Sequence, residues 1–474
     1  MNNTQIKEYL NYFIEQYFQE IENLPSSDIL KIADSSQLEK IKNINIPNEG
    51  RKIQEVINEM IEDVYDYRAK VDHPRFFGFV PGPADITSWI GDVMTSAYNL
   101  HTASWMISSG ASCIEKKLIE WLSKKVGYDT TKSVGLFVSG GSMANITALV
   151  TARDNKLSPE TFHLGVAYVS DQTHSSIKKA LKIAGISPQN IRKISSDLNY
   201  KMNISELERT IQEDILKGLK PFVIIASAGT TNTGSIDPMY KISNVCSKYK
   251  LWMHVDGAYG ASILLSQNYN NLLNGIENAD SLSWDAHKWL FQTYACGVVI
   301  VKDKNNSVNS FSENPEYLRD LDVDNGLINY GNIGMELTRP ARYLKLWTTL
   351  QTLGTDEISR RIEYGINITE YVEELLEGLD NWEIISKPSL AIINFRYAPC
   401  GISQKQIEDI NNNISKLMLQ SNYAGIFTTV LNNKVVLRMC CINHETTKED
   451  IKNTIAKLDE FAKKLLEDMV TLVI

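Results

Sequence analysis

Five short apolar segments alternate with helical stretches between residues 134 and 302, and this alternation limits the possible fold more than any other feature. Each segment has the length of a strand, and apolar residues recur at helical spacing in the stretches between them. The segments cover residues 134–138, 164–169, 222–226, 251–255 and 297–301. Strands that alternate with helices form a mostly parallel sheet with helices on both faces. The sequence therefore predicts an α/β protein.

The regions on either side of this alternating part predict further units. Residues 1–72 have helical apolar spacing but cannot bury both faces alone, so we expect them to pack on another body. The large domain is predicted to cover residues 73–345, beginning with a proline-containing, aromatic-rich connection. Within it, residues 303–332 are polar and turn-rich and predict a long functional loop. Residues 346–474 mix strands with helices, which predicts a smaller C-terminal α+β domain.

The composition is that of an ordinary globular protein and excludes several classes of partner. The 474 residues carry 48 Lys and Arg against 57 Asp and Glu, a net charge of −9, with no basic run, so no nucleic-acid partner is expected. No apolar stretch reaches the length of a membrane span, and the first residues lack the pattern of a signal peptide. The six cysteines are scattered and form no CxxC pair, which favours reduced thiols, a cytoplasmic protein and no metal site.

Two charged residues in apolar surroundings indicate the chemistry. Lys288 stands in Trp284-Asp285-Ala286-His287-Lys288-Trp289, and Asp256 closes the segment 251–255. Desolvation by aromatic neighbours favours the neutral, nucleophilic form of a lysine amine, which attacks carbonyl carbons. An aspartate at the end of an apolar strand needs a cation as its partner. Pyridoxal phosphate requires both, a lysine for its aldehyde and an anion for its pyridinium nitrogen.

A glycine-rich turn follows the first predicted strand and opens a helix at Ser139-Gly140-Gly141-Ser142. Glycines let the backbone approach an anion closely, and the start of a helix offers free N–H groups. The turn therefore predicts a phosphate site at Gly141 and Ser142. Such turns are common, and a purely structural turn is the alternative when the motif is taken alone.

Other candidate groups follow predicted strands at the edge where open α/β sheets bind ligands. His174 offers a flat ring that can stack on a cofactor, and Thr230 and Thr231 offer hydroxyl groups. Ala258 is small enough for a ring to lie flat beside Asp256. Each has a simpler alternative, such as an exposed histidine or helix-capping threonines. The prediction of a cofactor site rests on their occurrence together, in this order.

With these residues assembled, the chain resembles the group II pyridoxal-phosphate decarboxylases, the family of aromatic L-amino acid decarboxylases. The resemblance runs from His73-Pro74-Arg75-Phe76-Phe77 to the C-terminal domain, and the pairing of Asp256-x-Ala258 with His287-Lys288-Trp289 is its most specific part. It implies fold type I, the aspartate-aminotransferase-like fold with a seven-stranded, mostly parallel sheet. It also implies a homodimer with the active site at the subunit interface and residues 1–72 packed on the partner subunit.

The resemblance implies roles for individual positions. Catalytic roles fall on Lys288, which binds the cofactor aldehyde, on Asp256 at the pyridine nitrogen, on the stacking His174, and on Tyr317, the proton donor carried by the 303–332 loop. The implied cofactor-binding residues are Gly141, Ser142, His174, Thr230, Thr231, Asp256, Ala258, His287 and Lys288, with the choice between the two threonines left open. The implied substrate-binding residues are Phe79, Val80, Pro81, His101, Trp105 and Thr338.

The chain departs from the family pattern beside the lysine, where the usual Asn-Pro-His-Lys is Asp285-Ala286-His287-Lys288. The stretch Phe79-Val80-Pro81-Gly82-Pro83 is most similar to bacterial gut-type tryptophan decarboxylases. The implied reaction is α-decarboxylation of an aromatic L-amino acid to its amine and CO2. L-Tryptophan, giving tryptamine, is the first candidate substrate, and phenylalanine and tyrosine are further ones.

Three alternatives remain for the function. An aldehyde synthase and a carbon–carbon lyase use the same fold and cofactor. Tyr317 disfavours the synthase, because synthases of this family usually lack the loop tyrosine. The third alternative is a non-catalytic pyridoxal-phosphate-binding protein that serves in an assembly.

Overall fold

A seven-stranded sheet forms the centre of the computed structural model, which describes residues 2–80, 82–313 and 329–471. Its strands are β1 (Val134–Val138), β2 (Gly165–Ser170), β3 (Ile191–Ile194), β4 (Lys220–Ser227), β5 (Trp252–Asp256), β6 (Ser281–Asp285) and β7 (Gly297–Val301). They lie in the order β1-β7-β6-β5-β4-β2-β3. The predicted fold class, an α/β protein with a mostly parallel sheet of this size, is confirmed.

The strand directions bring most carboxyl ends to one edge of the sheet. β2 to β6 pair in parallel, whereas β7 is antiparallel to both β6 and β1. Two successive antiparallel pairings restore the direction, so β1 runs the same way as β6. The turns that follow β1, β2, β4, β5 and β6 therefore open on the same edge, where ligands of open α/β sheets bind.

The five predicted strands are confirmed within one or two residues, but β3 and β6 were not predicted. β3 is an edge strand of four residues with two basic side chains, too short for a clear pattern. β6 reads Ser-Leu-Ser-Trp-Asp and is buried throughout. Its serines are polar residues that satisfy buried neighbours, so the strand lacks the apolar run expected of a buried parallel strand.

Helices cover both faces of the sheet. In chain order they are α1 (Asn3–Asn23), α2 (Ser35–Lys42), α3 (Ile53–Met60), α4 (Ile86–Tyr98), α5 (Ser109–Val126), α6 (Gly141–Lys156), α7 (Ser175–Ile183), α8 (Ile204–Leu216), α9 (Met239–Tyr249), α10 (Lys304–Phe311), α11 (Leu344–Glu377), α12 (Gln404–Gln420) and α13 (Lys448–Thr471). Alternate residues of β2 face opposite apolar layers, Tyr168 towards α5, α8 and α9 and Ala167 towards α6 and α7.

The prediction of one long loop at 303–332 is wrong in its first part. α10 begins at Lys304, with the Asp303 side chain accepting a hydrogen bond from the Asn305 N–H. This cap and the burial of Ser307 give a polar segment a helical structure. The structure also describes a short 3₁₀ turn at Tyr330–Asn332. Residues 314–328, which include Tyr317, lie outside the described residues.

The C-terminal part is a smaller α+β unit, as predicted in kind. Its antiparallel sheet has the order β10-β11-β9-β8, built from β8 (Trp382–Ser389), β9 (Ile392–Tyr397), β10 (Phe427–Leu431) and β11 (Lys434–Cys440). α11 runs from the large sheet to this unit and is interrupted at Gly354, which has φ +75°. Glycine tolerates this left-handed conformation, so the direction of the helix can change there.

The N-terminal helices lie at the surface of the single chain. Within the described part of the protein, no residue of α1, α2 or α3 is buried. α1 contacts the rest of the chain through Tyr17, whose ring stacks on Trp89 of α4 at a centroid distance of 4.9 Å, and through Glu20, which pairs with Arg68 at 2.6 Å. No helix among the described residues has the combination of length and apolar composition that crossing a bilayer requires.

Candidate active site

A cavity of about 370 Å³ lies at the edge of the sheet where the carboxyl ends meet. The turns after β1, β2, β4, β5 and β6 each contribute to its wall. All of the predicted cofactor-binding residues line it, namely Gly141, Ser142, His174, Thr230, Thr231, Asp256, Ala258, His287 and Lys288. The strand directions therefore bring together groups that are scattered over 148 positions of the sequence.

The glycine-rich turn forms one end of the cavity, at the start of α6. A Cβ atom on Gly141 would lie 2.8 Å from Asp285 Oδ2, and one on Gly140 would lie 3.1 Å from the His287 ring. Larger residues would therefore fill the space that an anion needs. The N–H groups of the first turn of α6 have no partner within the helix. This end of the cavity fits a phosphate group, with the His287 ring beside it.

His287 is held by the strand that follows it. Its backbone N–H donates to Cys296 O at 3.0 Å, and its Nδ1 lies 3.0 Å from the same oxygen. Burial lowers the pKa of His287, although the nearby Asp285 carboxylate acts in the opposite direction. A neutral imidazole has a single N–H, and the contact with Cys296 O, which can only accept, places that N–H on Nδ1.

Asp256 forms the other end of the cavity. It is 8% exposed and accepts hydrogen bonds from three directions. Oδ1 accepts from the Ala258 N–H and from Ser283 Oγ, each at 3.2 Å, and Oδ2 accepts from Asn145 Nδ2 at 3.3 Å. These neutral donors fix the carboxylate but leave its charge without a cation among the described residues of its surroundings. A protonated ring nitrogen would supply that cation.

His174 stands between these two ends, as the N-cap of α7. Its Nδ1 accepts from the Ser176 N–H at 3.3 Å and lies 2.9 Å from Ser176 Oγ. Partial burial lowers the pKa of His174. Asp171, three residues earlier, does not cap this helix and accepts from the Ser196 N–H at 3.2 Å. The cap therefore fixes the imidazole ring at the cavity wall, where a flat cofactor can stack on it.

The two threonines differ in their surroundings. Thr230 is buried, and its hydroxyl lies 2.8 Å from Thr233 Oγ1. Thr231 is exposed at the cavity wall. Because the Thr230 hydroxyl is already engaged in the loop, Thr231 has the more accessible hydroxyl for a ligand.

Lys288 lies in a setting different from the one that its neighbours predict. The flanking rings of Trp284 and Trp289 are fully buried and point into the core, where Trp289 stacks on Tyr259 at 5.0 Å. The Lys288 side chain is 25% exposed, and its Nζ lies 3.2 Å from Asp285 Oδ2. A carboxylate, and not an aromatic cage, is thus the group nearest to this amine.

The arrangement fits pyridoxal phosphate. One end of the cavity offers donors for a phosphate, the other offers a carboxylate for a basic ring nitrogen, and a lysine amine lies between them for the aldehyde. The small Ala258 side chain keeps the cavity open, since only 3.1 Å separates it from a Cβ placed on Gly141. The nine residues are thus grouped as the phosphate, the ring nitrogen and the aldehyde of the cofactor require.

The predicted substrate-binding residues are placed elsewhere. Phe79, Val80, His101, Trp105 and Thr338 do not line this cavity. Phe79 is 62% exposed and packs against Phe427 of the small unit, with the rings tilted by 32° and their centroids 4.7 Å apart. Pro81 lies outside the described residues. Within one chain, the structure brings the cofactor-binding residues together but not the substrate-binding set.

His101 and Trp105 belong to a segment that is tied to the region around Thr338. His101 Nε2 lies 3.1 Å from Leu337 O, next to the exposed Thr338. The Trp105 ring stacks on Tyr330 at 6.5 Å and borders a separate cavity of about 340 Å³. These groups therefore form a second surface, away from Asp256.

Three residues of the site were missed by the sequence interpretation. Asn145 and Ser176 line the cavity, and Asn145 is a buried amide on the sheet-facing side of α6. Its position among apolar residues of the same helix face was the available signal. Arg438 of β11 donates from Nε to Thr231 O at 3.0 Å and from Nη1 to Phe79 O. No local pattern marks Arg438, because its partners are distant in sequence.

Comparison with known proteins agrees with this site. The family model described as pyridoxal-dependent decarboxylase conserved domain matches residues 36–398. The aromatic-L-amino-acid decarboxylase of Bacillus atrophaeus is 37% identical over 445 residues, covering 94% of this chain and 92% of that protein. The L-2,4-diaminobutyrate decarboxylase of Acinetobacter baumannii is 30% identical, covering 88% and 85%.

A solved structure has the same fold. The crystal structure of Oryza sativa TDC with PLP and tryptamine superposes with a TM-score of 0.93 at 24% sequence identity, covering 98% of this chain and 99% of that one. The match of the family model over most of the chain and the Bacillus relative agree with the cofactor that the cavity fits. The chain belongs to the pyridoxal-dependent decarboxylases, and it is a pyridoxal-phosphate-dependent carboxy-lyase.

Proposed function

We propose that this enzyme removes the α-carboxyl group of an aromatic L-amino acid, with L-tryptophan, giving tryptamine, as the first candidate. Phenylalanine and tyrosine are the next candidates. The observation that carries the reaction class is the cavity that joins Lys288, Asp256 and the turn at Gly141. The aromatic preference is supported by the 37% identical relative and by the aromatic character of residues 76–105.

Bound pyridoxal phosphate supplies an electron sink for the electrons of the breaking Cα–carboxylate bond. Lys288 would be the nucleophile that holds the cofactor aldehyde. Asp256 would keep a proton on the ring nitrogen, because a buried carboxylate favours the protonated form of a base in contact with it. His174 would contact the ring, and the start of α6 would hold the phosphate. The lysine, the aspartate and the phosphate turn thus hold three points of the cofactor.

We assign the return of a proton to Cα to Tyr317, on the resemblance to the family. This residue lies outside the described residues. A phenol hydroxyl is a suitable acid for a carbanionic carbon in a site closed to water. Tyr317→Phe is expected to lower amine formation about 100-fold and, with dissolved O2 as the oxidant that is reduced to peroxide, to raise the share of aldehyde and ammonia. Amine, aldehyde and ammonia are quantified after a single incubation, and amine formation at the unchanged rate would show that Tyr317 is not the donor.

We further propose that the enzyme acts as a homodimer in the cytoplasm. One face of α4 exposes apolar side chains at helical spacing, and the adjoining segment adds Met106 and Ile107; the α4 residues are Ile86, Ile90, Val93, Met94 and Tyr98. A second copy of the chain on this face would cover them. It would also bring the segment 101–107 of one subunit towards the cavity of the other.

The test of the function is product analysis over all twenty amino acids, with and without added pyridoxal phosphate. Release of CO2 with tryptamine from tryptophan is the expected result, and Lys288→Ala is the inactive control. Aldehyde with ammonia and peroxide would indicate a synthase, and carbon–carbon cleavage without CO2 would indicate a lyase. The absence of any turnover by the cofactor-loaded protein would support the assembly alternative.

A further inference from the structure

A chain of hydrogen bonds runs behind the cavity wall and ends on Asp256. Trp252 Nε1 lies 2.8 Å from Ser281 Oγ, and the same oxygen lies 2.9 Å from His254 Nδ1. On its other side, His254 Nε2 lies 2.9 Å from Asn145 Oδ1. Asn145 Nδ2 lies 3.3 Å from Asp256 Oδ2. Four contacts thus connect a buried indole to the predicted partner of the ring nitrogen.

The chemistry of the two ends, together with a neutral His254 ring, sets the direction of every bond. An indole N–H can only donate, so Ser281 Oγ accepts from Trp252 and keeps its own hydrogen to donate to an unprotonated His254 Nδ1. An ionised carboxylate can only accept, so the amide nitrogen of Asn145 faces Asp256. The amide oxygen of Asn145 then accepts from His254 Nε2–H. His254 therefore carries a proton on Nε2, and in a neutral ring its Nδ1 accepts from the Ser281 hydroxyl.

A second branch starts at the same amide. Asn145 Nδ2 also lies 3.2 Å from Ser176 Oγ, and Ser176 Oγ lies 2.9 Å from His174 Nδ1. His174 Nδ1 already accepts from the Ser176 N–H, which requires it to be unprotonated. The Ser176 hydroxyl therefore accepts from Asn145 and donates to His174. Both hydrogens of the Asn145 amide and its oxygen are used.

We propose that Asn145 is a positioning residue that sets Asp256 and His174 together for the cofactor, with His254, Ser281 and Trp252 fixing the orientation of its amide. This inference rests on the proposed function, because it concerns the ring nitrogen and the ring face of the same cofactor. Asn145 would act on the ring nitrogen of the cofactor through Asp256. It would act on the face of the same ring through Ser176 and His174. The two contacts are thereby coupled through one amide group.

The fold explains why these groups meet. Trp252, His254 and Asp256 are alternate residues of β5, so their side chains lie on one face of the sheet. His254 pairs with Ser281 of β6 across the sheet, and α6 places Asn145 over that face. Every member of the chain is buried. An amide turned the other way would bring its oxygen to the Asp256 carboxylate and leave buried donors unpaired. Both effects would raise the free energy of the folded protein.

The state of His254 agrees with this arrangement. Burial lowers the pKa of His254 to about 4, with Asp256 acting in the opposite direction. The ring is therefore neutral near pH 7 and has the one donor and one acceptor that the chain requires. A charged ring would donate from Nδ1 to Ser281 Oγ, which would reverse this bond and leave the Ser281 hydrogen to another acceptor.

The test measures cofactor binding and needs no turnover. Binding of pyridoxal phosphate to the cofactor-free protein is compared with binding of the analogue in which carbon replaces the ring nitrogen. Asn145→Leu is expected to weaken binding of pyridoxal phosphate about tenfold and binding of the analogue less than about threefold. Loss of a merely structural amide would weaken both ligands by the same factor, and that result would overturn the proposal.

Asn155→Leu is the matched control, because Asn155 lies on the same helix but donates to Thr151 O at 2.8 Å and Asn306 O at 3.1 Å. It should leave the ratio of the two dissociation constants unchanged, and a selective loss there would also overturn the proposal. A second variant, Ser281→Ala, removes little volume and guards against failure of Asn145→Leu to fold. It is expected to shift the same ratio by a smaller factor, and no shift would contradict the chain.

Histidine NMR provides a further measurement. In protein labelled with ¹⁵N at histidine, His254 and His174 should both show a protonated Nε2 and an unprotonated Nδ1 at pH 7, with signals assigned from His254→Gln and His174→Gln. A protonated Nδ1 on His254 would refute the direction of the chain. Failure of the proposed function would appear separately, as absence of CO2 release from a protein in which these bonds are intact.

Discussion

Two regions of the molecule contain groups expected to bind ligands. They are the cofactor cavity, called here the cofactor end, and the aromatic segment 73–107, called here the substrate end, and they are stabilised differently. At the cofactor end, Asp256, His174 and Asn145 are held by side-chain hydrogen bonds within one chain. The aromatic segment is joined to the rest of the chain by backbone bonds, as from Thr102 N–H to Arg339 O at 2.9 Å, and by side-chain bonds, as from Arg361 to Asp85, while the Phe79 side chain remains exposed. We infer that cofactor binding is a property of the single chain, whereas substrate binding requires a second copy.

Lys288→Ala would produce the largest change and tests the cofactor end alone. Removal of the amine should lower CO2 release on the order of 10³-fold or more, because no nucleophile remains to hold the aldehyde. Borohydride treatment followed by peptide mass analysis should show no cofactor adduct on this segment. The matched control is Lys302→Ala at the surface beyond β7, which should keep both activity and adduct. An adduct of unchanged yield in the Lys288 variant would refute the assignment.

Ile90→Asp tests whether cofactor binding can be separated from dimer formation and activity, as the comparison implies. An acidic group on the apolar face of α4 should prevent dimer formation and lower activity about 100-fold, since burial of a charge without a partner opposes association. The dissociation constant for pyridoxal phosphate should change less than about threefold, because the cavity lies within one chain. Sedimentation and cofactor titration measure the two quantities.

Leu216→Asp, at an exposed position of α8, is the control for Ile90→Asp and should stay dimeric and active. A monomeric Ile90→Asp protein with unchanged activity would show that the substrate site is complete in one chain. Equal loss of cofactor binding and activity would show that cofactor binding, like activity, depends on the second copy of the chain.

Trp105→Ala is expected to weaken substrate binding without affecting cofactor binding, and its effect should be smaller than that of Ile90→Asp. Loss of the indole removes a large apolar surface, so KM for tryptophan should rise about five- to tenfold while the visible absorbance of bound cofactor stays the same. Tyr240→Ala, an exposed aromatic of α9, should leave KM unchanged. An altered cofactor spectrum with an unchanged KM would indicate that Trp105 contacts the cofactor and not the substrate.

The smallest effect concerns one buried histidine from each region, His254 at the cofactor end and His73 at the start of the aromatic segment. Burial lowers the pKa of each to about 4 from an ordinary value of 6.5. Between these values the unfolded chain binds more protons than the folded one. The free energy of unfolding should therefore fall as pH falls from about 6.5 to 4, by up to ~1.4 kcal/mol per pH unit for each group.

Urea unfolding of the cofactor-free protein at fixed concentration measures this slope. His254→Gln and His73→Gln should each reduce it, whereas His163→Gln at the exposed surface should not. An identical slope for all four proteins would show that neither ring stays neutral on folding.

The sequence predicted those parts of the site that depend on local patterns. The turn at Gly141, the strand end at Asp256 and the alternation of β1, β2, β4, β5 and β7 are visible in a few neighbouring residues. β6 was missed because its buried serines resemble a loop. Asn145 and Arg438 were missed because their roles depend on partners that are far away in sequence. The setting of Lys288 was misjudged because flanking residues on a turn point to opposite sides.

The attachment of the aromatic segment to the small unit has a consequence for biosynthesis. Phe77 N–H donates to Gly425 O, and Phe77 O accepts from Cys440 N–H, so this segment is bonded to residues that are translated much later than it is. Contacts between such distant positions form late and slow folding. The large sheet can assemble first on the emerging chain, whereas residues 76–79 lack their partners until β11 has been synthesised. A ribosome-bound chain truncated before residue 425 should therefore bind cofactor before it has a substrate surface.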